Sequence, residues 1–178
     1  MTTFFRPDYY AASVHDISAQ WLFSRQLNTL LLDADNTLKR YRNSEPEPGV
    51  ETWLAELRQA GIRMCIVSNG LGPRIQQFAN RLDLPVICKA MKPRPTGLCH
   101  AMELLGAAPP QTAMAGDQIF ADIVAGKNAD VTTIFVEPIA SQEEHWYTRI
   151  KRPCERWLLR HWMAHGVFPP RVGETSDA

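Results

Sequence analysis

The chain has 178 residues, 45% of them hydrophobic and 21% charged, and its 19 basic and 19 acidic residues balance to a formal net charge of zero. That length fits one packed domain with a small appendage, and the balanced charge argues against a general nucleic-acid binder. No stretch reaches the ~20 apolar residues of a membrane span, the N-terminus lacks the apolar run of a secretory signal, and Cys65, Cys88, Cys99 and Cys154 show no C-x-x-C spacing, which points to reduced thiols in a cytoplasmic protein.

In chain order, Tyr9-Tyr10 reads as a packing pair. LNTLLLD (27–33) is too short for most helices and fits a strand. After the turn-rich NSEPEPG, where Arg42 reads as a solvated flap residue, Val50, Trp53, Leu54 and Leu57 recur at helical spacing and Gly61 is a stop. IRMCIVSN (62–69) is a second strand. Pro73 opens a helix running to about Leu82. LPVICKA (84–90) is a third strand. A helix over 96–105 ends at Gly106, TAMAGD (112–117) is a fourth strand, FADIVAGKNA a helix, and VTTIFVEP (131–138) a fifth strand.

Apolar strands alternating with helices predict an α/β fold: a doubly wound, mainly parallel sheet covered on both faces. The expected organisation is a core over 1–142, a basic helical segment over 143–168 and a disordered tail over 169–178. Ligands of such sheets bind beyond the carboxyl ends of the strands. Strand one ends at Asp33, with Asp35 just beyond. Strand two ends at Ser68-Asn69. Lys92 follows strand three, strand four ends at Asp117, and Asp122 lies in the next turn.

Side chains alternate along a strand, so Asp33 and Asp35 are expected to point the same way and to share one crevice with Asp117 and Asp122. Two carboxylates about 4 Å apart repel by roughly 4 kcal/mol at an effective dielectric near 20. Such a crevice calls for a hard divalent cation, most plausibly Mg²⁺. A phosphoryl group suits the remaining parts. Ser68 and nearby N–H groups can donate to phosphate oxygens and Lys92 can pair with them. Asp33 can attack phosphorus, and Asp35 can move the protons.

D-A-D-N-T (33–37), Ser68 after an apolar strand, Lys92-Pro93 and G-D-Q-I-F-A-D (116–122) resemble, in order, the four motifs of the haloacid-dehalogenase (HAD) superfamily. The resemblance implies a Rossmann-like HAD fold. It makes Asp33 nucleophile and metal ligand, and Asp35 acid/base and a ligand through its carbonyl. Thr37 supports the loop and, with Ser68, Asn69 and the catalytic Lys92, binds phosphate, Asp117 binds metal, and Asp122 orients Lys92 or a metal-bound water. Together with F-R-P-D-Y-Y (5–10), A-M-K-P and T-x-x-x-R-x-x-E (148–155), the motifs look like those of the YqeG-type, subfamily IIIA phosphatases, relatives of phosphatidylglycerophosphate phosphatases. Ala34 and Ala121 depart from that pattern, standing where Leu and often Thr are usual, and leave substrate preference open. An acid at position 35 favours hydrolysis over the other HAD chemistries.

The gaps 38–61 and 70–91 have no room for a cap domain, so the site is expected to be open and to suit a large or surface-bound substrate. From His145 to Arg171 there are six Lys/Arg and one acid, Glu155; Arg152, Arg156 and Arg160 are spaced as one basic stripe, with Trp146, Trp157, Leu158, Trp162 and Phe168 as apolar bulk. Pro153 is expected to kink this segment or start a new helix. Such a segment either packs on its own domain or lies on an anionic membrane.

The sequence thus predicts a capless Mg²⁺-dependent phosphomonoester hydrolase acting on phosphatidylglycerophosphate, cytoplasmic or peripheral at the membrane. A soluble or protein-borne phosphomonoester remains open as substrate. So do a receiver-like signalling module and a non-catalytic membrane adaptor.

Overall fold

The structure, a computed structural model, describes residues 3–41, 43–140 and 146–173, with the side chains of 146–149 outside that description. Arg42 and the side chains of Trp146 and Thr148 therefore lie outside the described residues. The apolar runs become one parallel sheet of β1 (Tyr9–Ala11), β2 (Thr29–Leu32), β3 (Arg63–Val67), β4 (Val86–Ile87), β5 (Thr112–Gly116) and β6 (Thr132–Val136), in the order β1-β6-β5-β2-β3-β4. The helices are α1 (Ala19–Ser24), α2 (Val50–Gln59), α3 (Gly72–Arg81), α4 (Thr96–Leu105), α5 (Val124–Asn128) and α6 (Trp146–Ala164).

Alternation along the strands divides the core. Leu30, Leu32, Met64 and Ile66 pack with Trp21 and Leu22 of α1, Leu54 and Leu57 of α2 and Phe78 of α3. Leu31, Cys65, Val67 and Met114 pack on the other face with Leu98 and Met102 of α4 and Ala125 of α5. Burying each Leu or Phe this way contributes about 1.5–3 kcal/mol. A third cluster joins Ile119, Ile123 and Phe135 to Leu158 and Trp162, and it seats α6 on the domain.

Register sets the site. Leu32 lies beside Ile66 of β3 and Ala115 of β5, so β2, β3 and β5 end at one level. Asp33, Ser68 and Asp117 all leave the sheet there. Among the described residues only a short flap and α2 separate β2 from β3, and only α3 and β4 separate β3 from the segment leading to Lys92. Among the described residues no cap domain stands over the strand ends.

Four differences from the sequence reading have physical causes. Tyr9-Tyr10 is not merely a packing pair: it belongs to β1, held by β6. Residues 169–173 are not a free tail. The Tyr10 amide donates to the Pro170 carbonyl at 3.0 Å and the Val172 amide to the Tyr10 carbonyl at 2.8 Å, so they satisfy the outer edge of β1. FADIVAGKNA is two elements, a π-helical turn over Ile119–Ile123 followed by α5. Finally, of the two outcomes expected at Pro153, a new helix does not start there, since α6 runs through it.

Candidate active site

Asp33 stands one residue beyond β2, and its amide donates to the Ala115 carbonyl at 2.9 Å. Its Oδ1 accepts from Lys92 Nζ at 2.6 Å, and the same ammonium donates to the Val67 carbonyl at 2.6 Å. Lys92 also pairs with Asp122 Oδ1 at 2.6 Å. One buried lysine therefore bridges the ends of β2 and β3 and the turn after β5. Burial alone works against its charge, but the carboxylates of Asp122 and Asp33 hold it protonated beyond the ordinary lysine range.

Asp122 reaches Lys92 from the π-helical turn, a distortion common at functional sites. Its Oδ2 accepts from the Gln118 amide at 3.0 Å. A Cβ on Gly116 would come within 2.4 Å of the Asp122 carboxyl carbon, so only glycine lets that carboxylate pack against the end of β5.

Asp33, Asp117 and Asp122 each offer an oxygen within 4.8 Å of the others, and all three are buried. Asp33 Oδ2 is buried with no hydrogen-bond partner. Burial, reinforced by Asp122 and Asp35 against the pull of Lys92, pushes Asp33 up to about 7. Burial likewise holds Asp117 well above the carboxylate range despite Arg152 beside it. A buried unpartnered oxygen amid crowded acids costs free energy unless a cation joins it. The all-oxygen set fits a hard divalent metal.

The expected four-acid crevice holds three. The side chain of Asp35 turns away to an ion pair with Lys39 and lies 3.5 Å from Arg74 Nη2. The strand alternation invoked for Asp33 and Asp35 ends with β2 at Leu32, and Asn36 adopts φ +64°, so the loop no longer directs alternate residues to one side. Asp35 remains close enough to push Asp33 upward.

The remaining predicted residues converge with different partners. Ser68 is buried, and its hydroxyl accepts from the Gly70 amide at 3.0 Å. The Asn69 carboxamide holds the Lys92 backbone: Nδ2 donates to its carbonyl at 3.0 Å and Oδ1 accepts from its amide at 2.8 Å. Thr37 directs its hydroxyl toward Asp117 Oδ1 at 3.5 Å, so it braces an acid.

Three site residues escape a reading by strand ends. Lys39 is fully buried, paired with Asp35 and 5.4 Å from the centroid of the Phe78 ring; its spacing of four from Asp35 was the available signal. Arg152 and Glu155 come from α6. Arg152 is buried against Asp117, which corrects its place in an outward basic stripe, while Arg156 and Arg160 are exposed. The three-residue spacing of Arg152 and Glu155 could have shown them as a pair.

Residues 15–130, more than half of the chain, match the family described as haloacid dehalogenase-like hydrolase. The chain is 31% identical over 156 residues to the probable phosphatase YqeG of Bacillus subtilis, covering 88% of this chain and 90% of that protein. It is 35% identical over 96 residues to the phosphoglycolate phosphatase of Psychrobacter arcticus, covering 49% of this chain and 41% of that one. Among solved structures, the cobalt-bound deoxy-D-mannose-octulosonate 8-phosphate phosphatase of Haemophilus influenzae matches with a TM-score of 0.53 at 18% identity, over 66% of this chain and 71% of its own. A thermostable NPPase variant of Geobacillus stearothermophilus matches with 0.53 at 16%, over 68% and 93%. At these identities the two structures show a shared fold.

Proposed function

The chain belongs to the haloacid dehalogenase-like hydrolases, and we propose that it hydrolyses a phosphomonoester through a covalent phosphate on Asp33, with phosphatidylglycerophosphate as the substrate. The observation that carries the mechanism is the buried Asp33 carboxylate, one oxygen on Lys92 and the other unpartnered beside Asp117 and Asp122.

In this reading an Asp33 oxygen forms a bond to phosphorus while the bond from phosphorus to the ester oxygen breaks. Asp35, which must leave its ion pair with Lys39 to do so, gives that leaving oxygen a proton. It then takes one from the water that attacks phosphorus and releases Asp33. Lys92 and Ser68 hold the phosphoryl oxygens, with the Asn69 clasp fixing the Lys92 segment and Thr37 bracing Asp117. Asp122 orients Lys92. Asp33, Asp117 and the Asp35 carbonyl are the ligands assigned to Mg²⁺. Magnesium, when bound, offsets the repulsion between carboxylate and phosphate.

Support for a lipid comes from the rim. Leu71 and Met91, close in sequence to Asn69 and Lys92, are exposed. Apolar side chains beside a phosphate site suit a substrate with an apolar body. The outer face of α6 adds exposed Arg156, Arg160, Ile150 and Trp157, a composition suited to an anionic bilayer surface. No helix among the described residues is long and apolar enough to cross a membrane. This reading makes the protein a subfamily IIIA phosphatase, cytoplasmic and peripheral at the membrane.

A soluble phosphomonoester is the second reading, favoured by the likeness to a phosphoglycolate phosphatase across 49% of this chain. Membership of a hydrolase family weighs against the receiver-like and adaptor alternatives. The test is phosphate release from phosphatidylglycerophosphate in vesicles against phosphoglycolate and other soluble esters, with Asp33→Asn as blank. Turnover confined to soluble esters would remove the lipid assignment, and turnover by the Asp33→Asn protein would remove the mechanism.

A further inference from the structure

Arg152 is buried where packing alone gives no reason for a charge. Leu158 and Trp162 already seat α6 on Phe135, Ile119 and Ile123. Taking a guanidinium out of water costs several kcal/mol unless its donors are matched. Here they are matched by the acid site. Nη2 pairs with Asp117 Oδ2, and Nη1 donates to the Asp117 carbonyl at 2.6 Å and to Glu155 Oε2 at 3.0 Å. Glu155 is itself buried, and its Oε1 accepts from the Phe120 amide at 3.1 Å. Phe120 belongs to the turn that carries Asp122. One Arg–Glu pair thus ties α6 to both acid-bearing segments after β5.

We propose that Arg152, aimed by Glu155, is a positioning residue that commits Asp117 to offering a divalent cation one oxygen, Oδ1. Arg152 occupies Oδ2, while Oδ1 lies 3.5 Å from Thr37. A carboxylate held this way cannot swing to present both oxygens, which suits an ion such as Mg²⁺ with its strict six-fold geometry. The charge count agrees. With Asp35 counted beside its partner Lys39, the five acids Asp33, Asp35, Asp117, Asp122 and Glu155 meet three buried cations, Lys39, Lys92 and Arg152, and when all are ionised two negative charges remain, matching one divalent ion. Without Arg152 three would remain, and an anionic phosphoryl group would meet a more repulsive centre.

The inference rests on the metal-assisted phosphatase reading, so the test reads metal binding apart from turnover. Mn²⁺ is titrated into the full-length protein by calorimetry, and p-nitrophenyl phosphate hydrolysis is followed in parallel. Arg152→Lys keeps the charge and loses the two-pronged contact. Glu155→Gln keeps the shape and loses the counter-charge that aims Arg152. Both are expected to weaken Mn²⁺ binding about 10- to 100-fold, as when groups behind metal ligands are removed. KM should stay unchanged, and kcat should recover in excess Mn²⁺.

Arg63→Lys is the structural control. Arg63, at the opposite end of β3, donates to the Leu105 and Gly106 carbonyls and to Asn28. Its replacement should lower the melting temperature and leave Mn²⁺ affinity alone. Wild-type affinity in Arg152→Lys overturns the proposal; if that variant does not fold, Glu155→Gln decides on the same terms. A wild-type protein that takes up no Mn²⁺ and still works after chelation overturns the metal reading and this inference together. Wild-type uptake with unaltered variants overturns this inference alone.

Discussion

Asn69 clasps Lys92 at two points, donating from Nδ2 to its carbonyl at 3.0 Å and accepting its amide at Oδ1 at 2.8 Å. The carboxamide closes the end of β3 onto the segment that carries the lysine. Asn69→Ala releases both contacts, each worth about 1 kcal/mol. We expect a fall of roughly tenfold in kcat, the rate equivalent of about 1.4 kcal/mol, with little change in melting temperature because Asn69 is exposed and water replaces it. Phosphate-release kinetics and thermal unfolding measure the two.

Asp33→Asn removes the carboxylate proposed to attack phosphorus while keeping the shape. Turnover should fall to the assay blank and the circular dichroism spectrum should match wild type. The metal-free variant should be no less stable than wild type near neutral pH, because burial disfavours the charge that the substitution removes. Chemical unfolding in chelator tests this.

The acid site also sets a pH dependence. Asp33 sits near 7 in the metal-free fold, above its ordinary value of 3.8. A carboxyl raised on folding binds more protons folded than unfolded, so stability falls as pH climbs from about 4 to about 7 and then levels. The loss from this group is on the order of a few kcal/mol. Mg²⁺ should therefore raise the melting temperature more at pH 8 than at pH 5, and a chelator should cost more at pH 8. An equal shift at both pH values would contradict the assigned burial of Asp33.

Leu71 and Met91 separate the two substrate readings. Replacing both with Ser should raise KM for vesicle-borne phosphatidylglycerophosphate several-fold and leave phosphoglycolate kinetics unchanged. Equal effects on both substrates would argue that the rim only shapes the site.

Arg156 and Arg160 are exposed on α6. Reversing both to Glu should weaken binding to phosphatidylglycerol vesicles by about 1 kcal/mol or more per residue, with Mn²⁺ affinity unchanged because neither touches the acids. Cosedimentation at low and moderate salt reads this, and wild-type binding by the double variant would detach α6 from the membrane.

Much of the fold and site was legible because long apolar runs and polar strand ends are local signals. Leu30 to Leu32, Met64 to Val67 and Ala113 to Ala115 are each buried on both faces, and such runs read as parallel strands without further context. Asp33, Ser68, Lys92 and Asp117 follow from where those runs stop. β1 was hidden because three residues carry no periodicity; its partners are β6 and the Pro170–Val172 segment, over a hundred residues away. For Asn69, sequence shows a carboxamide beside Ser68 but not that one of its N–H groups and its oxygen hold the Lys92 backbone. Arg152 was grouped with Arg156 and Arg160 because steps of four nearly repeat on a helix. Each step drifts about 40°, enough to turn Arg152 inward with Glu155, Leu158 and Trp162 while the other two stay in water.

Arg152 follows all six strands in chain order. On a ribosome, the polypeptide releases Asp33, Asp117 and Asp122 well before the guanidinium that steadies them. A nascent chain stalled ahead of α6 therefore carries all three acids without the helix that touches Asp117, and on the proposal above such a chain would hold a divalent cation more weakly than the finished fold.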